Sequence, residues 1–375
     1  MRPRPDRLDR LPQQYFTALL AKVSEHAALD GEPLVDLGRG NPEVGPPQHV
    51  IDALAEAANR PSAHGYPPFR GLPALREAIA ARYSEVYGVE LDPDTEVTIM
   101  PGTKTAICEL ALITAERGQT IVLPDPYYPD YPSGPALAEA ATGYVPLDRE
   151  AGWAPDFDAA PRDDVAAVFL NFPSNPCAVC VPEGTFAAAV EYGNQTGAVV
   201  VHDFAYGDIV FDGRVPRSFL AEPGAKEVGV EMFSMSKTYG MAGWRLGFVV
   251  GNAEIVARLD LLADLARVGI FSPVQQPGIA ALTGPQDSVA ERVETYRRRR
   301  DRVREVLPHI TAEGSFYLWW ELPDGLTPER LLEHRVAVAP GEGFGPRGAG
   351  WARLSLAVTD EVLETGLERL RGAIG

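Results

Sequence analysis

Cysteine is scarce in this chain: three in 375 residues, at positions 108, 177 and 180. Three thiols make no disulfide framework. Cys177 and Cys180 have a Cys-x2-Cys spacing, but no second pair exists to complete a zinc or redox site, only Cys108. The pair reads as packing beneath a loop, and no metal is expected. Long apolar runs are also missing. None approaches the roughly 20 residues of a membrane-spanning helix. The stretch from Met1 to Gln14 is charged and proline-bearing and lacks the apolar segment of a signal peptide. These absences predict a soluble, cytoplasmic protein. Basic clusters are absent too: the net charge is -18, with no long Lys/Arg block. That balance argues against nucleic acid and anionic membrane surfaces. It leaves small-molecule substrates open, because they respond to local charge. The nucleotide phosphate-loop spacing Gly-x4-Gly-Lys-[Ser/Thr] does not occur, nor does any internal repeat.

What is present is an alternation of strand and helix signals. Hydrophobic residues make up 45% of the chain, enough for a sizeable core, and the length allows one large domain or two. Val- and Ile-rich runs predict buried strands at Val97-Ile99, Ile121-Leu123, Val165-Leu170, Ala198-Val201, Val228-Phe233 and Gly247-Val250. Helix-period segments such as Leu75 to Tyr87 and Thr105 to Ala115 separate several of them. The pattern predicts an α/β fold with a mostly parallel sheet over residues 45–284. A long helical run from Ala253 to Val268 leaves that region. Residues 1–44 hold one amphipathic helix (Tyr15 to Ala28) and an extended link. Residues 285–375 mix helices with strands at Phe316-Glu321 and Arg353-Ala357. Both ends together predict a smaller α+β domain.

Ligands of open α/β sheets lie beyond the carboxyl ends of the strands, and the unusual polar residues fall there. Gly102-Thr103-Lys104, Asn171 to Asn175, Asp203 to Tyr206 and Ser234 to Lys237 each follow a predicted strand. Lys237 sits in Ser234-Met235-Ser236-Lys237-Thr238-Tyr239-Gly240, with Arg245 eight residues on. An amine flanked by phosphate-binding groups suits a covalently held, phosphorylated aldehyde, so Lys237 is inferred to be a Schiff-base lysine for pyridoxal phosphate. Asp203 is suited to keep a pyridine nitrogen protonated, or simply caps a turn. Asn175 and Tyr206 can donate to a phenolate oxygen. Gly102, Thr103 and Lys104 open a helix whose amino end favours anions, and Ser234, Ser236 and Arg245 can complete a phosphate cradle. Either Tyr127 or Tyr128 can stack on a ring. Arg353, entering an apolar strand, can clamp a carboxylate.

Taken together these residues resemble the class I/II aminotransferases of the fold-type I pyridoxal-phosphate superfamily. The likeness runs from about Leu11 to Leu370. It includes the 28-residue spacing from Asn175 to Asp203 and the three-residue spacing from Asp203 to Tyr206. The resemblance implies that Lys237 is also the proton-transferring base, that Tyr128 rather than Tyr127 stacks, and that Gly40, in Gly38-Arg39-Gly40-Asn41, contacts the substrate carboxylate beside Arg353. It implies that Tyr66 reaches the phosphate of the other subunit in a homodimer. Local likeness is nearest to the alanine and LL-diaminopimelate branch, with glutamate or alanine as amino donor and a 2-oxo acid as acceptor in ping-pong turnover.

Two departures bear on the chemistry. The family's Asn-Pro-Thr-Gly is here Asn175-Pro176-Cys177-Ala178, and alanine resists conformations that glycine accepts. Arg39 stands where it can meet a distal carboxylate, or it turns to solvent or pairs with a nearby acid. The alternative chemistry from the same residues is elimination, replacement or cyclisation. A non-enzymatic regulator is disfavoured by the acidic charge and by how early the likeness begins.

Overall fold

The structure, a computed structural model, describes residues 4–29, 31–307 and 309–374. Its centre is an eight-stranded sheet. The strands lie side by side in the order Val97–Met100, Gly247–Gly251, Gly229–Ser234, Val199–Asp203, Val165–Asn171, Thr120–Asp125, Ala141–Asp148 and Ala154–Pro155. Gly247–Gly251 runs antiparallel to both of its neighbours, and Ala154–Pro155 runs antiparallel to Ala141–Asp148; the remaining pairings are parallel. Side chains alternate between two cores, as strand pleating requires. Val168, Leu170 and Val200 join one hydrophobic cluster, while Ala167, Phe169 and Val201 join the other. Helices such as Thr103–Thr114 and Thr185–Thr196 connect the strands and cover the faces. Six strands, Val97–Met100 among them, therefore present their carboxyl ends along one edge. The register Ser234↔Gly247 and Met100↔Gly247 brings Arg245 to the same edge from the opposite direction.

A second, antiparallel sheet orders Ile310–Thr311, Tyr317–Glu321, Trp351–Ser355 and Ala339–Pro340. Val35–Asp36 pairs in parallel with Val336–Ala337, so the two ends of the chain meet in one cluster that holds Val35, Leu37, Val336 and Leu367. Several predicted boundaries shift. Val228 closes a short helix, Ala225–Val228, and the strand begins at Gly229. The helix predicted from Leu75 starts at Pro73 and widens into a π-turn over Tyr83–Tyr87. The strand Ala141–Asp148 has no counterpart in the sequence reading. It lies near the sheet edge with several exposed residues, so it lacks a continuous apolar run.

A polar knot locks the sheet from beneath. Glu231 and His202 are cross-strand partners, both fully buried. Tyr83 Oη and Ser218 Oγ donate to Glu231 Oε1 at 2.7 and 2.9 Å. His202 Nδ1 and the Phe219 N–H meet Oε2 at 2.7 and 2.8 Å. A buried carboxylate is tolerated when its lone pairs are met in this way. Removing it strands four donors, so Glu231→Ala is expected to destabilise the protein by about 3–5 kcal/mol. Urea unfolding measures this, and a loss below about 1 kcal/mol would mean that the knot contributes little.

Candidate active site

The strand ends enclose a cavity of about 260 Å³, lined among others by Thr103, Lys104, Tyr128, Asn171, Asn175, Asp203, Tyr206, Lys237 and Arg353. Lys237 lies in the short helix Met235–Thr238, which Ser234 caps by accepting the Ser236 N–H at 3.2 Å. Its Nζ donates to the Gly40 carbonyl at 3.1 Å and sits 5.3 Å from the centre of the Phe316 ring. Burial holds the amine below the ordinary lysine range, aided by the Arg353 charge and opposed by Tyr317.

Asp203 ends the Val199–Asp203 strand and is buried. Tyr131 Oη donates to its Oδ2 at 2.8 Å, and the Ala205 N–H donates to Oδ1 at 3.1 Å. Burial nevertheless raises its carboxyl above the usual range, the two donors only partly offsetting it. Asn171 ties the neighbouring strand end in place: its Nδ2 donates to the Asp203 carbonyl at 2.8 Å, and its Oδ1 accepts the Asn175 N–H at 2.7 Å. Tyr206 packs edge-on against Phe316 and Tyr317, and burial pushes its hydroxyl up.

Arg353 is fully buried. Its Nη1 donates to Asn175 Oδ1 at 2.8 Å and its Nη2 to the Gly38 carbonyl at 3.0 Å. The guanidinium lies 3.9 Å from the Tyr317 ring centre and 4.9 Å from that of Phe344. Among the described residues it has no carboxylate partner, and its Nε lacks an acceptor. Gly40 is required here by space: a Cβ would run into the Tyr317 hydroxyl.

The helix Thr103–Thr114 begins at Gly102, whose φ of 82° turns the chain out of the strand without a side-chain cap. Its leading N–H groups therefore remain free for an anion. The Arg245 guanidinium packs against Gly102 and donates from Nη1 to the Ala242 carbonyl at 2.8 Å. Gly102, Ser234, Ser236 and Arg245 do not line the cavity itself; Gly102 and Arg245 meet at the start of the helix whose Thr103 and Lys104 do. Lys104 pairs with Asp130 at 2.9 Å.

The two tyrosines separate cleanly. Tyr128 lines the cavity, while Tyr127 stacks on Tyr144 at 5.8 Å and donates its N–H to the Phe344 carbonyl. Tyr66 is 89% exposed and lies outside the cavity. Arg39 is exposed at the cavity wall beside Asp36. Ala178 adopts the left-handed φ of 57°, its carbonyl accepting the Glu313 N–H at 2.7 Å, so alanine makes the turn in glycine's stead. Cys177 and Cys180 are free thiols; burial pushes Cys180 up to about 12. Sequence reasoning missed Tyr131, Tyr317, Asp36 and Phe16. The only signal for Tyr131 was its place three residues after Tyr128.

The family model described as Aminotransferase class I and II matches residues 32–370. The chain belongs to this family. The L-glutamine–4-(methylsulfanyl)-2-oxobutanoate aminotransferase of Bacillus subtilis is 40% identical to this aminotransferase, over 97% of this chain and 94% of its own. An LL-diaminopimelate aminotransferase of Dehalococcoides mccartyi is 39% identical over 97% of each chain. The solved structure of BacF from Bacillus subtilis superposes with a TM-score of 0.93 at 36% identity, covering 100% of this chain and 98% of its own. The protein is thus a pyridoxal-phosphate-dependent aminotransferase of fold-type I, moving an amino group between an amino acid and a 2-oxo acid.

The residues fit that cofactor on their own terms. Asp203 is a buried carboxylate held up by burial, and a ring cation placed against it would supply the missing charge. The free helix start beside Arg245 suits a phosphate. When bound, pyridoxal phosphate supplies an electrophilic aldehyde carbon and a protonated ring that withdraws electrons.

Proposed function

We propose specific roles for the residues of this aminotransferase. Lys237 Nζ attaches the cofactor and takes the proton from the substrate's Cα. Asp203 holds a proton at the ring nitrogen, oriented by Tyr131. Asn175 Oδ1 accepts from Arg353, which leaves Nδ2 to join Tyr206 in donating to the phenolate oxygen. Tyr128 stacks on the ring. Gly102, Thr103, Lys104, Ser234, Ser236 and Arg245 hold the phosphate. Arg353 binds the substrate α-carboxylate, with the Gly40 backbone beside it. The observation that carries this reading is the sharing of one cavity by a depressed amine, a raised carboxylate and a buried guanidinium with no acid paired to it among the described residues.

The sequence likeness implies glutamate or alanine as amino donor, and two domains divided at about residues 45 and 285. We also propose a homodimer with a shared site. Tyr66, Phe69, Leu261, Leu265 and Phe271 expose apolar surface. They cluster where Arg70 pairs with Asp260 and His64 packs on Phe271. Tyr66 of a partner copy would complete the phosphate site. Active-enzyme sedimentation tests both points. Turnover is expected in a dimer-sized boundary and only when a 2-oxo acid acceptor is supplied. Ammonia release without an acceptor would favour elimination, and full activity in a monomer would remove the shared site.

A further inference from the structure

A fully buried guanidinium is costly unless its surroundings offset the loss of water. For Arg353 no carboxylate does so among the described residues, and its two hydrogen bonds, to Asn175 Oδ1 and the Gly38 carbonyl, go to neutral groups. Aromatic rings surround it instead. Its Cζ lies 3.9 Å from the Tyr317 ring centre, 4.9 Å from that of Phe344 and 5.4 Å from that of Phe16. Ring faces carry partial negative charge, and a guanidinium stacks on them. A carboxylate in their place would neutralise the cation. Rings stabilise it and leave its charge to an incoming anion. The buried Nε has no acceptor, so it and the second N–H of each Nη remain to donate to a carboxylate.

The three rings come from separate parts of the chain. Arg353 faces Trp319 across the strand pair Tyr317–Glu321 and Trp351–Ser355, and Tyr317, two residues before Trp319, shares that face. Phe344 ends the short turn Gly341–Phe344 and is fully buried. Phe16 belongs to the helix Tyr15–Ala27, none of whose residues is buried. That helix is therefore held by its anchors rather than by its packing. Tyr15 Oη donates to the Pro340 carbonyl at 2.8 Å, and its ring meets Phe344 edge-on at 5.4 Å. Gln14 accepts the Thr17 N–H and donates to Asp130 Oδ1 at 3.0 Å. Phe16 and Tyr317 line the cavity together with Arg353.

We infer that Phe16, Tyr317 and Phe344 form an aromatic cage that positions Arg353 and keeps its charge available, so that the N-terminal helix sets the affinity for the α-carboxylate of every substrate. This rests on the assignment of Arg353 above. The cage acts on the part that all amino acids and 2-oxo acids share. It changes affinity without choosing among side chains, and its members are positioning residues.

The test titrates cofactor-loaded Phe16→Leu and Tyr317→Leu with L-alanine, L-glutamate and L-methionine, followed by stopped-flow visible absorption. A parallel arm measures Tm in propanoate against chloride at equal ionic strength, with and without the cofactor. Leucine keeps apolar bulk and removes the ring. Each variant is expected to raise the half-saturating concentration about tenfold for every donor that reacts, with the limiting rate changed far less. The Tm gain from propanoate should shrink in both. Tyr317→Phe keeps a ring beneath Arg353 and should recover most of the loss. Unchanged half-saturation in both leucine variants, while Arg353→Gln raises it, overturns the cage. A rise confined to one donor also overturns it, because that marks a side-chain wall. If Tyr317→Leu does not fold, Phe16→Leu decides alone. If Arg353→Gln alters neither half-saturation nor the propanoate effect, the carboxylate assignment beneath the inference fails instead. If no donor reacts, the propanoate arm decides: a Tm gain lost in Arg353→Gln but kept in both leucine variants overturns the cage.

Discussion

Lys237→Ala is expected to abolish amino transfer, lowering kcat on the order of 10⁴-fold or more. Two functions are lost together in the proposed scheme: covalent attachment and movement of the Cα proton. No neighbour can substitute. Tyr206 and Tyr128 have hydroxyls held high by burial, and Lys104 is tied to Asp130. The depressed amine adds a pH signature. Only the neutral amine is a nucleophile, and burial favours the neutral form. Capture of pyridoxal phosphate by unloaded protein should therefore rise with pH, with a midpoint below the ordinary lysine value of 10.5. The variant should keep its fold, because the Nζ makes a single hydrogen bond, to Gly40. Near-normal turnover in Lys237→Ala would remove the residue from the mechanism.

Asp203→Asn should leave the cofactor bound and cut kcat by roughly 10²- to 10³-fold, the scale of losing one preorganised electrostatic contact. The amide matches the carboxylate in shape but carries no charge to hold a proton on the ring nitrogen. It also brings an N–H₂ to a place where Tyr131 Oη and the Ala205 N–H both donate. Pre-steady-state absorption would show slowed loss of the Cα proton, with KM changed far less than kcat. An unchanged rate would assign Asp203 to the turn-capping role that an isolated strand-end aspartate ordinarily fills.

Much of this site could be read before any coordinates. Lys237, Asp203, Asn175 and Thr103 each follow an apolar strand, and parallel topology gathers such ends at one edge whatever the details of packing. The choice between Tyr127 and Tyr128 was not open to composition, because adjacent aromatics differ only in which way the chain points them. Tyr131 was hidden for a related reason: its contact with Asp203 spans 72 residues and depends on side-chain reach across the sheet. Phe16, Leu19 and Leu20 read as an ordinary amphipathic face, and only the structure places them on the cavity wall. Arg39, whose cation suggested a dicarboxylate, lines the cavity wall together with Asp36. The strand Ala141–Asp148 escaped because, one strand in from the sheet edge, it leaves several residues exposed and lacks a continuous apolar run.

The central claim is that Lys237 carries the cofactor. Incubation with pyridoxal phosphate, reduction with borohydride and peptide mass analysis would test it most directly. The account predicts one reduced pyridoxyl adduct per chain, on the peptide containing Lys237. An adduct confined to Lys104 or to surface lysines, with Lys237 unmodified, would contradict it.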